Sequence, residues 1–454
     1  MKDFGHSPLL KALYSHFQTQ PGKIALIDGD IQVTYGNLWE NILMVSEKME
    51  KEGKKHGDKQ LLMAQKDISF VYRYFAAHML GVVNVVVDPA STQERLDYIK
   101  DVIAKHDCPV AETADIMFTT GTTGVPKGVC LTHENIAASA RNINGFIGNS
   151  ENDVEMLGLP LSHSFGLGRL RCTLLKGATM VLVGNFANLK VIFDAMERYH
   201  VTGFGMVPAV WQYIRRFSGT RISKFALQLK YIEIGSASMP KEDKNLLTLL
   251  FPKTRICMHY GLTEASRSFF MEFHQEVGDL STIGVPVTST MKVAIVGEDN
   301  QECSTGTDGE ICVKGDHVMK SYFLPEDNIA AFWNGFFRTG DWGHVNEQGK
   351  YYLTGRKKEM INVGGKKISP ALIEDAIIAL GFADCACIGV NDPKGILGEV
   401  PKAFIVKGKM EMKFDEINEK LLTVLEPFEV PVEYEWIDKV PRTSSGKIQR
   451  LSLI

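Results

Sequence analysis

Ten residues, TTGTTGVPKG (119–128), gather four threonines, three glycines and one lysine between two apolar runs. Residues of these types at this density suit the holding of an anion. Glycines let the backbone come close to a ligand and reach φ > 0, so that successive N–H groups aim at one oxygen cluster. Threonine hydroxyls add donors, and Lys127 adds a full positive charge, which together suit a polyphosphate. The same composition also describes a solvated turn, so its surroundings must decide. It is not a Walker A loop, because five residues after Gly121 stands Pro126 where that pattern needs glycine. Gly446-Lys447 fails the same pattern, with Pro441 at the required first glycine. Gly203-Phe204-Gly205 runs on into Met206, Val207 and Pro208, so no dinucleotide fingerprint forms there either.

The elements flanking the loop read as strands. Asp115–Phe118 and Val129–Leu131 are apolar and predict a hairpin with an oversized polar tip. Upstream, residues 7–19 predict an amphipathic helix, and FVYRYFAAHMLGVVNVVVDP a helix followed by a buried strand. From 151 to 260 apolar strands and helices alternate, as in ATMVLVG, LKVIFDAMERYH and VTGFGMV, which argues an α/β core with buried strands. Short strands with turn residues follow from 280 to 355, then a small α+β pattern with a helix from about Pro370 to Leu380. The 454-residue length calls for two or more domains. A net charge of −4 argues against a broad nucleic-acid surface, so any phosphate must be met locally. The longest apolar run, Met79 to Val87, is too short to span a bilayer. The start MKDFGHSPLL lacks a secretory apolar region, and the eight cysteines lack disulfide-like clustering. Cytoplasm is therefore the expected compartment. Cys385 and Cys387 in CACIGV predict a strand with both thiols on one face rather than a metal site.

Four further stretches follow the loop in order: LPLSHSFGLG (159–168), YGLTE (260–264), RTGDWG (338–343) with GRKKE (355–359), and PRTSSGKIQR (441–450). In sequence and spacing the chain resembles the adenylate-forming superfamily of acyl-CoA synthetases, peptide-synthetase adenylation domains and beetle luciferases, over nearly its whole length. The resemblance implies a large N-terminal α/β domain, of stacked βα subdomains plus a small β-rich part, over 1–356. A small mobile α+β domain joined by a hinge would occupy 357–454. It also implies attack of a carboxylate on the α-phosphate of ATP, loss of pyrophosphate, and displacement of AMP from the acyl-adenylate by a thiol. Both partners of the first step are anions, so positive charge and in-line positioning are required.

The family's roles fall on matching positions. Thr119, Thr120, Gly121, Thr122, Thr123, Gly124 and Lys127 would hold the β- and γ-phosphates. Lys447 would bridge the substrate carboxylate and α-phosphate. Glu264 would be the Mg²⁺ carboxylate and Thr263, after Gly261, would touch the α-phosphate. Tyr260 would stack on adenine, with Gly235, Ser236 and Ala237 on its other side; the family often has a second glycine where Ser236 stands. Asp341 would take the ribose hydroxyls, and Arg356 would lie near ribose or phosphate. His163 would sit at the mouth of the acyl pocket, whose wall is expected to include VPAVW (207–211) and SRSFF (266–270). No aspartate occurs in LPLSHSFGLG, where amino-acid-activating relatives bind an α-amine, which points to a fatty, aromatic or other amine-free acid. Lys358 falls at the hinge. Gly364 and Gly365 could let a pantetheine arm pass close to the backbone, and Asn362 stands where some relatives have lysine.

One departure is evident. Only residues 90–118 separate VVNVVVDP from the loop, where relatives carry a longer insert, so the N-terminal subdomain is abbreviated. The implied activity is ATP- and Mg²⁺-dependent ligation of a carboxylic acid to CoA. A ligase loading an acyl carrier protein, a luciferase-like oxygenase and a non-catalytic AMP-binding relative remain as alternatives.

Overall fold

The computed structural model describes residues 6–119, 126–276, 278–408, 410–442 and 446–453. The chain divides into two compact units, Met1–Val293 with Cys312–Arg338, and Ala294–Ile311 with Thr339–Ile454. The expectation of a boundary at 356/357 rests on the family resemblance.

The first unit carries two sheets. The larger has nine strands and a parallel centre. Arg255–Tyr260, Tyr231–Ile234, Gly203–Met206, Val154–Leu157, Thr179–Leu182 and Ile24–Asp28 run side by side, with antiparallel strands at both edges. Its central strands are buried throughout, as the alternation of apolar strands and helices predicts. Trp211 packs fully buried in that core, and Phe269 and Phe270 are fully buried as well. The apolar stretches expected at the pocket wall thus spend their largest side chains on packing; Val207 and Val210 stay partly exposed.

The second sheet runs Ser321–Tyr322, Lys127–Thr132, Thr113–Thr119, Val83–Val87, Lys59–Met63. All five residues of Val83–Val87 are buried, and each fully buried valine contributes about 1.5–3 kcal/mol relative to exposure. A single helix, Gln93–Lys105, makes the crossover from that strand to its parallel neighbour Thr113–Thr119, which then turns back antiparallel as Lys127–Thr132. The expected hairpin is therefore present, three residues longer at each strand than the run that predicted it. Thr132 ends it and starts the helix His133–Ile147 through a reciprocal capping box with Asn135. The Asn135 amide also donates to the carbonyls of Asp316 and Val318, at 2.7 and 2.9 Å. This ties the residues that lead into Ser321–Tyr322 to the hairpin.

The hairpin is anchored at its far end by charge. Asp115 is wholly buried and accepts from Tyr74 Oη at 2.6 Å, His78 Nε2 at 2.9 Å and the Arg171 guanidinium. Burial opposes its ionisation, but Arg171 and His78 outweigh burial and hold the carboxyl down at about 2. His133 stacks edge-on against His78 and His6 at this end.

The second unit holds the hairpin formed by the C-terminal part of Phe336–Val345 with Tyr351–Arg356, the small hairpin Ile361–Val363/Lys366–Ile368, and a three-stranded sheet under the helices Pro370–Ala379 and Phe414–Leu421. Cys385 and Cys387 lie buried on one face of the strand Asp384–Asn391, within this unit's own core.

Candidate active site

Thr119 and Lys127 face each other as the last register pair of the hairpin, and Thr119 Oγ1 donates to the Lys127 carbonyl at 3.4 Å. Thr120, Gly121, Thr122, Thr123 and Gly124 lie outside the described residues. The Lys127 ammonium stands 2.8 Å from the Asp327 carboxylate and 5.2 Å from the centre of the Tyr322 ring. Strand geometry explains the second contact. Tyr322 is paired with Val129, so Lys127, two residues along on the same face, is its diagonal neighbour and within reach of a long side chain.

Tyr322 also reaches the other way, its hydroxyl donating to Glu264 Oε1 at 2.8 Å. Glu264 comes from a tight turn after the strand Arg255–Tyr260. Leu262 and Ala265 exchange backbone hydrogen bonds at 3.1 and 3.2 Å, which puts Thr263 and Glu264 at the tip. Gly261 permits the turn: a Cβ there would lie 2.3 Å from the Arg267 backbone nitrogen. The Glu264 carbonyl accepts from Met319 N at 2.7 Å, a second tie between this turn and the segment carrying Tyr322. The expected phosphate-side lysine and metal-side carboxylate are thus brought together through a tyrosine.

Tyr260 closes its strand with its ring edge-on to Phe269 at 5.7 Å. Just past the neighbouring parallel strand Tyr231–Ile234, Gly235 leaves no room for a side chain, since a Cβ would lie 2.1 Å from the His259 ring. Ser236 follows at φ 75°. That left-handed conformation costs a non-glycine residue about 1–2 kcal/mol, which is a physical reason for glycine at this position. Ala237 follows in the same loop. His163 is the N-cap residue of the helix Ser164–Lys176, half-buried, without a side-chain cap bond.

Beneath these loops lies a buried ionic network that sequence reasoning missed. Arg267 Nε donates to Glu233 Oε1 at 3.1 Å, and its other nitrogens donate to the carbonyls of Ser164 and Phe165, both at 2.8 Å. Arg169 reaches Glu233 from the opposite side at 3.1 Å and also pairs with Glu155. Burial alone would raise the Glu233 carboxyl, but Arg267 and Arg169 hold it well below the usual carboxylate range. Gly168 makes room, because a Cβ there would meet Arg267 Nη1 at 2.3 Å. One guanidinium therefore braces the start of the His163 helix, the strand before Gly235 and the turn after Tyr260.

In the second unit Asp341 and Arg356 are opposite one another in register and form an ion pair at 2.9 Å. Thr339 Oγ1 accepts from Asp341 N at 3.1 Å and donates to the Ile311 carbonyl, and Asp341 is only 3% exposed. Buried Glu310 accepts from Gly340 N at 3.1 Å and from Lys357 Nζ at 3.2 Å. Lys358, the expected hinge residue, is exposed in the turn that follows. Gly364 and Gly365 join their hairpin with φ of 59° and 89°, the signature of a type I′ turn. Asn362 accepts from Gly365 N at 3.1 Å through its side chain. Lys447 is exposed, and its neighbour Ile448 forms an isolated antiparallel bridge with Arg442. Arg450, just beyond, pairs with Glu359 at 2.9 Å and Glu374 at 2.8 Å. Sequence reasoning passed over Arg450 although it ends the motif that contains Lys447.

Among the described residues no group of three or more His, Cys, Asp or Glu side chains could hold a metal on its own. Glu264 offers one hard-oxygen carboxylate. Mg²⁺ characteristically takes one or two carboxylates together with nucleotide phosphate oxygens, so this donor fits a metal that arrives with ATP.

The chain is 29% identical to a 2-succinylbenzoate–CoA ligase of Bacillus velezensis, across 96% of each chain. It is 31% identical to a long-chain-fatty-acid–CoA ligase of Mycobacterium tuberculosis, over 82% of this chain and 73% of that one. Its fold matches the o-succinylbenzoate CoA synthetase of Bacillus subtilis solved with the acyl-adenylate intermediate, with a TM-score of 0.85 at 27% identity and 97% coverage of both chains. The same enzyme solved with ATP and magnesium ion gives 0.85 at 26%, covering 97% of this chain and 98% of that one. The AMP-binding enzyme model matches in two pieces, 13–105 and 101–323, breaking inside the abbreviated stretch, and the model for the C-terminal domain of AMP-binding enzymes matches 372–447. The chain belongs to the family of AMP-binding, adenylate-forming enzymes.

Proposed function

We propose that this protein is an ATP-dependent acid–thiol ligase that converts a carboxylic acid to its acyl-adenylate with release of pyrophosphate and then transfers the acyl group to CoA. The observation that carries this reading is the juxtaposition of Lys127, Tyr322 and Glu264, which sets a cation and a metal-competent carboxylate side by side at the base of a glycine- and threonine-rich loop.

In the first step the acid's carboxylate attacks the α-phosphorus of ATP, the bond from α-phosphorus to the bridging oxygen breaks, and pyrophosphate departs. Lys127 neutralises charge on the departing phosphates, and Lys447 draws the two anionic reactants together. Glu264 would hold Mg²⁺, whose chemistry there is to neutralise phosphate oxygens. The flat walls provided by Tyr260 and by Gly235–Ala237 accept the adenine, and Asp341, oriented by Arg356, accepts the ribose hydroxyls. In the second step the thiolate sulfur attacks the acyl carbon and AMP leaves with the bonding electrons. Motion about Lys358 would withdraw Lys447 and present the Gly364–Gly365 turn, with 357–454 as the moving part. His163 guards the acyl side. The substrate is an amine-free acid of the aryl or fatty class, in keeping with the absence of an acidic residue from LPLSHSFGLG and with the substrates named for the relatives. No described helix is long and apolar enough to cross a membrane, and the buried thiols of Cys130, Cys172 and Cys257 suit the reducing cytoplasm.

The test is pyrophosphate release with ATP and Mg²⁺ across a panel of aryl, fatty and amino acids, with and without CoA. Release that depends on one acid and turns over only with CoA is expected. An adenylate that forms but stalls with CoA would move the acceptor to an acyl carrier protein, and silence across the panel would overturn the enzymatic reading.

A further inference from the structure

We infer that Tyr322 is a positioning residue that couples the two sides of the nucleotide site, fixing the metal-side carboxylate of Glu264 while holding Lys127 over its ring, with Asp327 as the counter-ion the phosphates must displace. The inference rests on the adenylation reading and assigns a device within that site.

Three contacts form one line. The Asp327 carboxylate meets the Lys127 ammonium at 2.8 Å, the ammonium lies 5.2 Å from the Tyr322 ring centre, and the Tyr322 hydroxyl donates to Glu264 at 2.8 Å. Each contact has its own consequence. A cation over the ring face draws electron density toward itself and makes the phenol a better donor, so the lysine strengthens the bond that orients the carboxylate. That bond occupies Oε1 and sets the direction of the other oxygen before any metal arrives. Glu264 and Tyr322 are only 9% and 8% exposed, so this orientation is protected from competing water. Asp327 is 16% exposed at its side chain and Lys127 30%, which keeps their pair reachable by an incoming phosphate. Backbone geometry fixes the line at both ends, through the Tyr322–Val129 pairing and through Met319 N on the Glu264 carbonyl.

The experiment measures ATP affinity by titration calorimetry on the full chain, once with Mg²⁺ and once with EDTA. Tyr322→Phe keeps the ring and removes the hydroxyl. The hydrogen bond to the charged carboxylate is then absent throughout, but its loss is felt in binding only when Glu264 must face a metal, so the affinity gained from Mg²⁺ falls about tenfold, while metal-free ATP binds within about twofold of wild type. Asp327→Asn removes a competitor for Lys127, so metal-free ATP binds severalfold more tightly. Glu264→Gln serves as the reference and loses the Mg²⁺ advantage. If Tyr322→Phe keeps that advantage while Glu264→Gln loses it, the coupling is wrong and the adenylation reading stands. If Asp327→Asn leaves metal-free affinity unchanged or weaker, the counter-ion role is wrong. A wild-type chain that gains nothing from Mg²⁺ overturns the metal assignment and the coupling together.

Discussion

Replacing Arg267 with methionine removes a group that braces three parts of the site at once. Its guanidinium is wholly buried and joined to Glu233, which itself has no exposure. Removing one member of a buried ion pair characteristically destabilises by about 3–5 kcal/mol, because the remaining charge is stranded. Here Arg169 still faces Glu233 at 3.1 Å and His259 Nδ1 at 2.7 Å, so the stranding is incomplete. The carbonyls of Ser164 and Phe165 also lose a donor, but both lie in the first turn of a helix and keep their intrahelical acceptor role. The two corrections oppose each other, and we expect a loss of about 3–4 kcal/mol. Urea unfolding of Arg267→Met followed by far-ultraviolet circular dichroism measures it. Glu233→Gln in the same chain removes the stranded charge and should recover about 1–2 kcal/mol, a coupling that only neighbours in one network show. A loss below about 1 kcal/mol, or no recovery in the double variant, would refute the bracing role.

Lys447→Ala should lower adenylate formation by about two to three orders of magnitude, on the scale of other transition-state donors, with ATP affinity retained; pyrophosphate exchange against calorimetry separates the two, and unchanged exchange removes Lys447 from the mechanism. Burial and the neighbouring imidazoles push His133 down to about 2, so it stays neutral in the fold while the unfolded chain takes up a proton below 6.5. Its stabilising effect is complete above pH 6.5 and falls as pH drops, by about 1.4 kcal/mol per unit. Among His6, His78, Asp115 and Arg171, which face it, the effect is isolated by comparing wild type with His133→Gln in urea at pH 7 and pH 5. The wild type should lose about 2 kcal/mol more, and equal losses would contradict the assignment. Gly365→Ala forces a side chain to φ 89° and should cost about 1 kcal/mol in the second unit. On the proposed reading it slows thiol transfer from preformed acyl-adenylate but not pyrophosphate exchange, and stopped-flow comparison of the two half-reactions decides.

Legibility followed locality. The strands that flank the loop 119–128 are each written in a few consecutive residues, because strand character is enforced by what sits within three or four positions. The α/β alternation was legible for the same reason. Tyr322 and Asp327 were not, since a two-residue strand has no periodicity and its partner lies far off in the chain. Arg267 was misplaced among apolar pocket residues: SRSFF contains the arginine, but only the fold sets Glu233 beside it. Ser236 looked like a simple departure from a second glycine, and the positive φ supplies the reason a glycine is usual. Glu310 and Arg450 illustrate the other limit, as buried acids and their partners carry no spacing rule.

The single-helix crossover at 93–105 has a consequence for the order in which the protein can be made. It lets four strands of the second sheet, from Lys59 to Thr132, be drawn from one short continuous stretch of chain. Contacts between near neighbours close cheaply and early, whereas distant ones wait on the slower search. The fifth strand, Ser321–Tyr322, emerges from the ribosome about 190 residues later, after Glu264 and before the second unit is complete. A nascent chain halted near residue 300 would therefore hold the lysine and the carboxylate without the tyrosine that links them, and the nucleotide site becomes whole only when that short segment docks.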